Sequence, residues 1–288
     1  MISAAVVGNA GRTRRSLLRD GLTVAAVIYL AWVWQYLLST GSHVDVAAYW
    51  RAAQGDPYHV ALAGREGAWL YSPVAAQLLG LAASAPLAVF VGALLAASLA
   101  AAVFLVGPTL AALTLVTPLP FVWQDLSSGN IHLLLAAAVV LGFRYPAAWS
   151  FVLLTKVTPG IGLLWFAARR EWRALGIALG ATLLLAVASF VLAPSLWSQW
   201  IDVLRINTNS PSSGLSIPVP VEIRLPLAAA LVWWGARNDH AWTVPLAALV
   251  ALPVIWVFDG FAMLLGVASV LRRPVIARDP VHAAPIGG

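Results

Sequence analysis

His43-Val44-Asp45-Val46-Ala47-Ala48-Tyr49-Trp50-Arg51, running on through Gly55-Asp56-Pro57-Tyr58 to Tyr71-Ser72-Pro73, is the first long polar interruption in an otherwise hydrophobic chain. The chain has 288 residues, 61% of them hydrophobic and 10% charged, where a soluble domain carries about 25% charged residues. No soluble core of this size needs so little charge, so the interruption reads as a loop between membrane segments. The fold class follows: an all-α, polytopic membrane protein. The loop gathers Asp45, Asp56, Arg51, Arg65, Glu66, His43 and His59, from a chain with only 11 acidic residues. So many scarce ionisable groups in one loop point to chemistry there.

Before the loop, Arg12, Arg14, Arg15 and Arg19 lead into an apolar run over 17–38. That run is longer than a signal-peptide core and no Ala-x-Ala site closes it, so it reads as a first transmembrane helix starting in the cytoplasm. Within the exterior loop 39–72, Val46, Tyr49, Trp50 and Ala53 share one face at helical spacing and predict a short amphipathic helix over 45–54. Gly55-Asp56-Pro57 ends it. Apolar segments follow at 73–84, 86–106, 109–123, 131–143, 146–167 and 174–193, then at 223–236, 242–257 and 258–271. Several fall short of the roughly 20 residues that span a bilayer, as helices do where protein or a water-filled cavity surrounds them. The expectation is about ten transmembrane or partly spanning helices in one integral membrane domain, 1–288. Ten crossings place both termini, the Arg169/Arg170/Arg173 turn, Arg237 and the basic tail 272–288 in the cytoplasm. They place the loops 39–72 and 194–222 outside, with Arg144 discordant.

The formal net charge is +6, but the basic residues flank apolar segments. Membrane orientation explains them, and nucleic acid is not an expected partner. Cysteine is absent, which excludes disulfides, thiol chemistry and Cys-ligated metal. No Walker motif, no GxGxxG after a strand, no Ser-His-Asp order and no Asp-x-Asp nucleotide-sugar signal is present, and no internal repeat.

The candidate residues each carry two readings. Asp45, just past the first helix, suits a general base that takes a proton from an acceptor hydroxyl, and equally the N-terminal cap of the 45–54 helix. Lys156, in Thr155-Lys156-Val157-Thr158-Pro159, is an ionisable group at membrane depth beside a proline that kinks its helix. It suits a lipid phosphate, or a snorkelling or structurally paired lysine. Gln124 to His132 joins two short segments, either lining a cavity or forming an ordinary turn with a capping Asp or Asn. His132 has no His, Cys or carboxylate at metal-ligand spacing, so no metal is expected. Asn207-Thr208-Asn209-Ser210 offers amides for sugar hydroxyls, or is plain loop. Trp123, Trp172, Trp197, Trp200, Trp233 and Trp242 stand at segment ends as interface anchors.

Taken in order, these features resemble glycosyltransferase family 87, bacterial multispanning GT-C enzymes that include polyprenol-phosphate-mannose-dependent mannosyltransferases. The family shows an Asp, a Tyr four residues on, a Gly-x-Pro-Tyr-like turn and a Tyr-x-Pro helix start. Here stand Asp45, Tyr49, Gly55-Asp56-Pro57-Tyr58 and Tyr71-Ser72-Pro73. Its Gly-Gln-x-Asn element is replaced by Gly129-Asn130-Ile131-His132. Its Lys-x-x-Pro and basic Trp-containing turn match Lys156 to Pro159 and Arg169 to Arg173, and its Asn-x-Ser-like element matches Asn207 to Ser210. Its late Trp-x-His is Trp256-Val257-Phe258 here. The resemblance implies a plasma-membrane glycosyltransferase with a polyprenyl-phosphate sugar donor, mannose first, and a cell-envelope glycolipid or glycan acceptor, with no cofactor. It implies inversion with Asp45 as base, Lys156 with Arg51 or Arg65 at the donor phosphate, and Tyr49, Tyr58, Tyr71, Asn130, His132, Asn207 and Asn209 at sugar or lipid. A lipid or sugar transporter would also use a membrane lysine and broken helices, but lacks repeat halves here. An inactive envelope scaffold is the third reading.

Overall fold

The computed structural model describes residues 2–40, 45–60, 62, 68–82, 84–116, 120–207, 217, 219–255 and 260–273. Arg65 and Asn209, named above, lie outside them, as do His43 and Trp256 to Phe258. Among the described residues every regular element is helical. Helix α1 (Ile2–Thr40) contains the predicted first span and extends it toward the N-terminus. Helix α2 (Asp45–Ala53) is the short amphipathic helix expected, burying Val46, Ala48, Tyr49, Ala52 and Ala53. Helix α3 (Pro73–Gly80) opens on its proline, whose missing N–H costs nothing at a first turn. Helix α4 (Leu87–Val106) follows.

Trp34 Nε1, near the end of α1, donates to Ala88 O at the start of α4 (3.1 Å). The end of α1 therefore meets the start of α4, and α2 and α3 sit at that end. With 8 residues, about 12 Å long, α3 cannot cross a hydrocarbon layer of about 30 Å.

The apolar stretch read as 109–123 divides into α5 (Pro108–Val116) and α6 (Pro120–Ser128). Helix α6 carries on through Gln124 to Ser128, so the turn expected over 124–132 shrinks to Gly129–Ile131 before α7 (His132–Gly142). A 3₁₀ turn (Pro146–Ala148) leads into α8 (Trp149–Thr155). After a break come a 3₁₀ segment (Thr158–Leu163) and α9 (Leu164–Ala168). Helix α10 (Trp172–Leu192) follows. The predicted exterior loop 194–222 contains a helix that the polar composition hid, α11 (Pro194–Asn207). Then come α12 (Val221–Arg237), α13 (Thr243–Val250), a 3₁₀ turn (Gly260–Met263) and α14 (Leu264–Arg272).

Among the described residues, three helices are long and apolar enough to cross a membrane, over Ser16–Ser39, Leu87–Val106 and Trp172–Leu192. The end of α6 and α7 form a fourth if counted as one span, bent by 113° at the 129–131 turn. Helix α7 is apolar all round and forms the centre, with Leu133, Leu135, Ala136, Val139 and Val140 fully buried. It packs against α4, α8, α13 and α14. Helix α10 is as apolar but buries only Ala178 and Ser189, so most of its surface faces outward, as a lipid-facing helix does. The turns at 169 and 239, which charge alone assigned to one side, meet: Arg169 Nη1 donates to Asp239 Oδ1 (3.1 Å). Arg224, buried at 6% exposure, donates to the carbonyls of Val219, Val250, Leu252 and Pro253 (2.6–3.0 Å) and so closes the end of α13.

Candidate active site

The site is built by the turn between α6 and α7. Gly129 has φ +70°, a left-handed conformation that glycine adopts without strain. Its N–H donates to Leu126 O (3.1 Å) and Asn130 N–H to Asp125 O (2.8 Å). This is the paired bonding of a Schellman cap, which reverses the chain at once. The reversal returns Asp125 to the start of α7. Its carboxylate accepts from His132 N (3.3 Å) and Leu133 N (3.2 Å), two of the N–H groups that a helix start leaves without a partner. The same carboxylate accepts from His132 Nδ1 (2.9 Å). Asp125 and His132 are both 0% exposed. Asp125 therefore caps α7, the role expected for an Asp or Asn of this turn.

The turn also lies against α2. A Cβ at position 129 would come within 2.7 Å of Val46 Cβ, so only glycine lets the two backbones approach this closely. That approach lets Asn130 Nδ2 donate to Asp45 Oδ2 (2.5 Å) across 85 residues of sequence. Asn130 Oδ1 meanwhile accepts from Ile131 N (2.8 Å), which fixes which end of the amide faces Asp45. Asp45 is the first residue of α2 and half-buried.

Lys156 arrives from the other side. Pro159 has no N–H to continue α8, so the chain leaves the helix at Lys156 (φ −127°, ψ 100°) and restarts as a 3₁₀ segment with Pro159 in its first turn. The break thus falls at Lys156 itself, three residues ahead of the proline expected to cause it. Lys156 Nζ stands 2.7 Å from His132 Nε2 and 5.9 Å from the centre of the Tyr71 ring, within cation–π reach. Ser72 N and Oγ both donate to Leu154 O (3.3 and 2.5 Å), which fastens the Tyr71-Ser72-Pro73 start of α3 beside the lysine.

An aromatic group closes the remaining side. The Tyr49 and Tyr71 hydroxyls are 3.1 Å apart, and Trp69 stands edge-on to both rings at 5.7 and 4.9 Å. Tyr58 donates to Tyr71 O (2.8 Å). Burial pushes the Tyr58 hydroxyl well above the ordinary tyrosine range, against a smaller opposite pull from Trp69, so it stays a donor.

The sequence candidates thus divide. Asp45, Tyr49, Tyr58, Tyr71, Asn130, His132 and Lys156 come together. Asn130 and His132 do so as buried supports, Asn130 to Asp45 and His132 to Lys156, rather than on an open sugar-facing surface. Arg51 is half-buried on the last turn of α2. Asn207 ends α11 and donates to Val203 O of its own helix (2.7 Å). The site residue that sequence reasoning left as no more than a possible cap is Asp125. It lies seven positions before His132, out of reach unless Gly129 reverses the chain; Ser128-Gly129-Asn130 is the helix-stop signal that could have revealed it.

Compared with known proteins, the chain matches the family model of glycosyltransferase family 87 over residues 67–284. No curated protein and no solved structure matches it. The matched stretch carries Tyr71, Asp125, Asn130, His132 and Lys156; Asp45 precedes it and is joined to it through Asn130.

Proposed function

The chain belongs to glycosyltransferase family 87 and is a membrane glycosyltransferase, and on that footing we propose that it moves a sugar, mannose first, from a polyprenyl-phosphate donor to a cell-envelope glycolipid or glycan. One observation carries the reading. Asn130 and His132, two residues apart on one turn, hold a carboxylate and an ammonium group, Asp45 and Lys156. That is the pair such a transfer needs.

Asp45 takes the proton of the acceptor hydroxyl. The acceptor oxygen attacks the anomeric carbon from the face opposite the lipid phosphate. The bond from that carbon to the phosphate oxygen breaks, its electron pair leaves on the phosphate, and the configuration inverts. Lys156, with Arg51 or Arg65, meets the charge that develops there. Tyr71, half-buried beside Lys156, offers a ring edge and a hydroxyl to the sugar. The chain forms one membrane domain of the plasma membrane with both termini in the cytoplasm and the site at the exterior face.

The test is donor choice in proteoliposomes. Transfer is expected from polyprenyl-phosphate mannose and not from GDP-mannose; the reverse result would overturn the reading. For orientation, single cysteines replace the exposed Asp56 and Ser198 in a chain that has no cysteine. Both are expected to react with an impermeant maleimide on intact cells. Reaction only after permeabilisation would turn the protein over.

A further inference from the structure

We propose that Asp125 and His132 are positioning residues for Lys156, a buried carboxylate and imidazole that fix the direction of its amine toward the donor phosphate. The inference rests on the reading of Lys156 as the phosphate-binding cation.

The hydrogen-bond inventory assigns the protons. A lysine ammonium has three donors and no acceptor, so His132 Nε2 must accept from Lys156 Nζ at 2.7 Å. The ring proton then sits on Nδ1, which donates to Asp125 Oδ1 at 2.9 Å. The imidazole is neutral, and it stands between one negative and one positive group. Asp125 is itself held by two N–H groups of the α7 start, where the helix dipole favours a negative charge.

The imidazole between the two charges has a consequence for function. The imidazole adds no charge of its own and sets where the amine points. The charge of Asp125 still balances that of Lys156 at one ring's remove, which lowers the cost of keeping a cation half-buried. The three groups come from α6, from α7 and from the break after α8, and Asp125 and His132 are sealed from water. Water therefore does not compete for the bond between Asp125 and the ring.

The pair also caps α7, so a purely structural role must be separable. The measurement is the Kd of the full-length protein for undecaprenyl phosphate in detergent. Hydrogen bonds to charged groups are worth about a tenfold change or more in an equilibrium. His132→Leu is expected to raise the Kd about tenfold or more. In a Lys156→Met background the same change should add nothing, because its effect passes through the lysine. Where His132→Leu does not fold, two amides decide. His132→Gln places an acceptor where Nε2 stood and should bind nearly as the wild type; His132→Asn keeps only the Asp125 side and should bind weakly. Additive losses, an unchanged Kd in His132→Leu, or equal Kd values for the two amides would overturn the proposal while leaving Lys156 as the phosphate ligand. A Lys156→Met protein that binds undecaprenyl phosphate normally would remove both.

Discussion

The two polar loops look alike as sequence and differ as structure. Each lies between apolar segments, and each holds aromatics, prolines and amide or acid side chains. In the first, Tyr49, Tyr58 and Trp69 are buried at 5%, 7% and 2% exposure and pack around Tyr71 beside Lys156, while Asp45 meets Asn130 of the α6–α7 turn. In the second, α11 buries only Val203, and Asn207 bonds to its own helix. The loops touch where Trp200 Nε1 donates to Leu70 O (3.1 Å), so a tryptophan expected as an interface anchor is also a brace. The lesson is that polar composition between membrane segments does not mark a site. What marks it is a polar group received by buried partners from a distant part of the chain.

Breaking the first loop should therefore cost far more than breaking the second. The largest effect is expected from Asp45→Asn, which keeps size and the contact with Asn130 but removes the basic oxygen. General-base assistance is worth about 10²–10⁴-fold, and transfer from polyprenyl-phosphate mannose should fall by that factor with folding intact. Asp56→Asn, in an exposed turn, should keep most activity. If Asp56→Asn lost activity and Asp45→Asn did not, the base would be reassigned.

Gly129→Ala comes next. A left-handed conformation costs a non-glycine residue about 1–2 kcal/mol. The added Cβ would also press on Val46, driving α2 and Asp45 away from Asn130. Loss of both thermal stability and transfer rate is expected; a variant with wild-type rate would show that the close approach is not needed. A smaller effect is expected for Trp200→Phe, which removes one hydrogen bond of about 1 kcal/mol between the loops and should slow transfer only a few-fold. Asn207→Ala should be the mildest, within about 0.5 kcal/mol in stability and near wild type in rate. A large loss of acceptor use there would make the second loop part of the site and erase the contrast.

Much of the frame could be read from residue order. Scarcity of charge gave the membrane class, and apolar runs located α4, α7 and α10 within a few residues of their observed ends. Tyr71-Ser72-Pro73 marked the start of α3 because proline is suited to a first helical turn. Helix α11 was missed although Pro194 and the spacing of Leu196, Trp200 and Val203 announce it, because its polar residues outweighed its period.

What the sequence determined by itself is local: which stretches are apolar, where proline and glycine stop a helix, and which ionisable groups are too costly in a membrane to be idle. These depend on neighbours a few residues apart. It could not separate α7 from α10, since both are apolar all round and only packing decides that one is the core and the other a lipid face. Nor could it pair Asp45 with Asn130, 85 residues away, or give His132 its two partners. Those contacts exist because a left-handed glycine turns α6 back onto α7 and a proline opens the chain at Lys156, and the direction in which such breaks aim their side chains is fixed only when the helices pack.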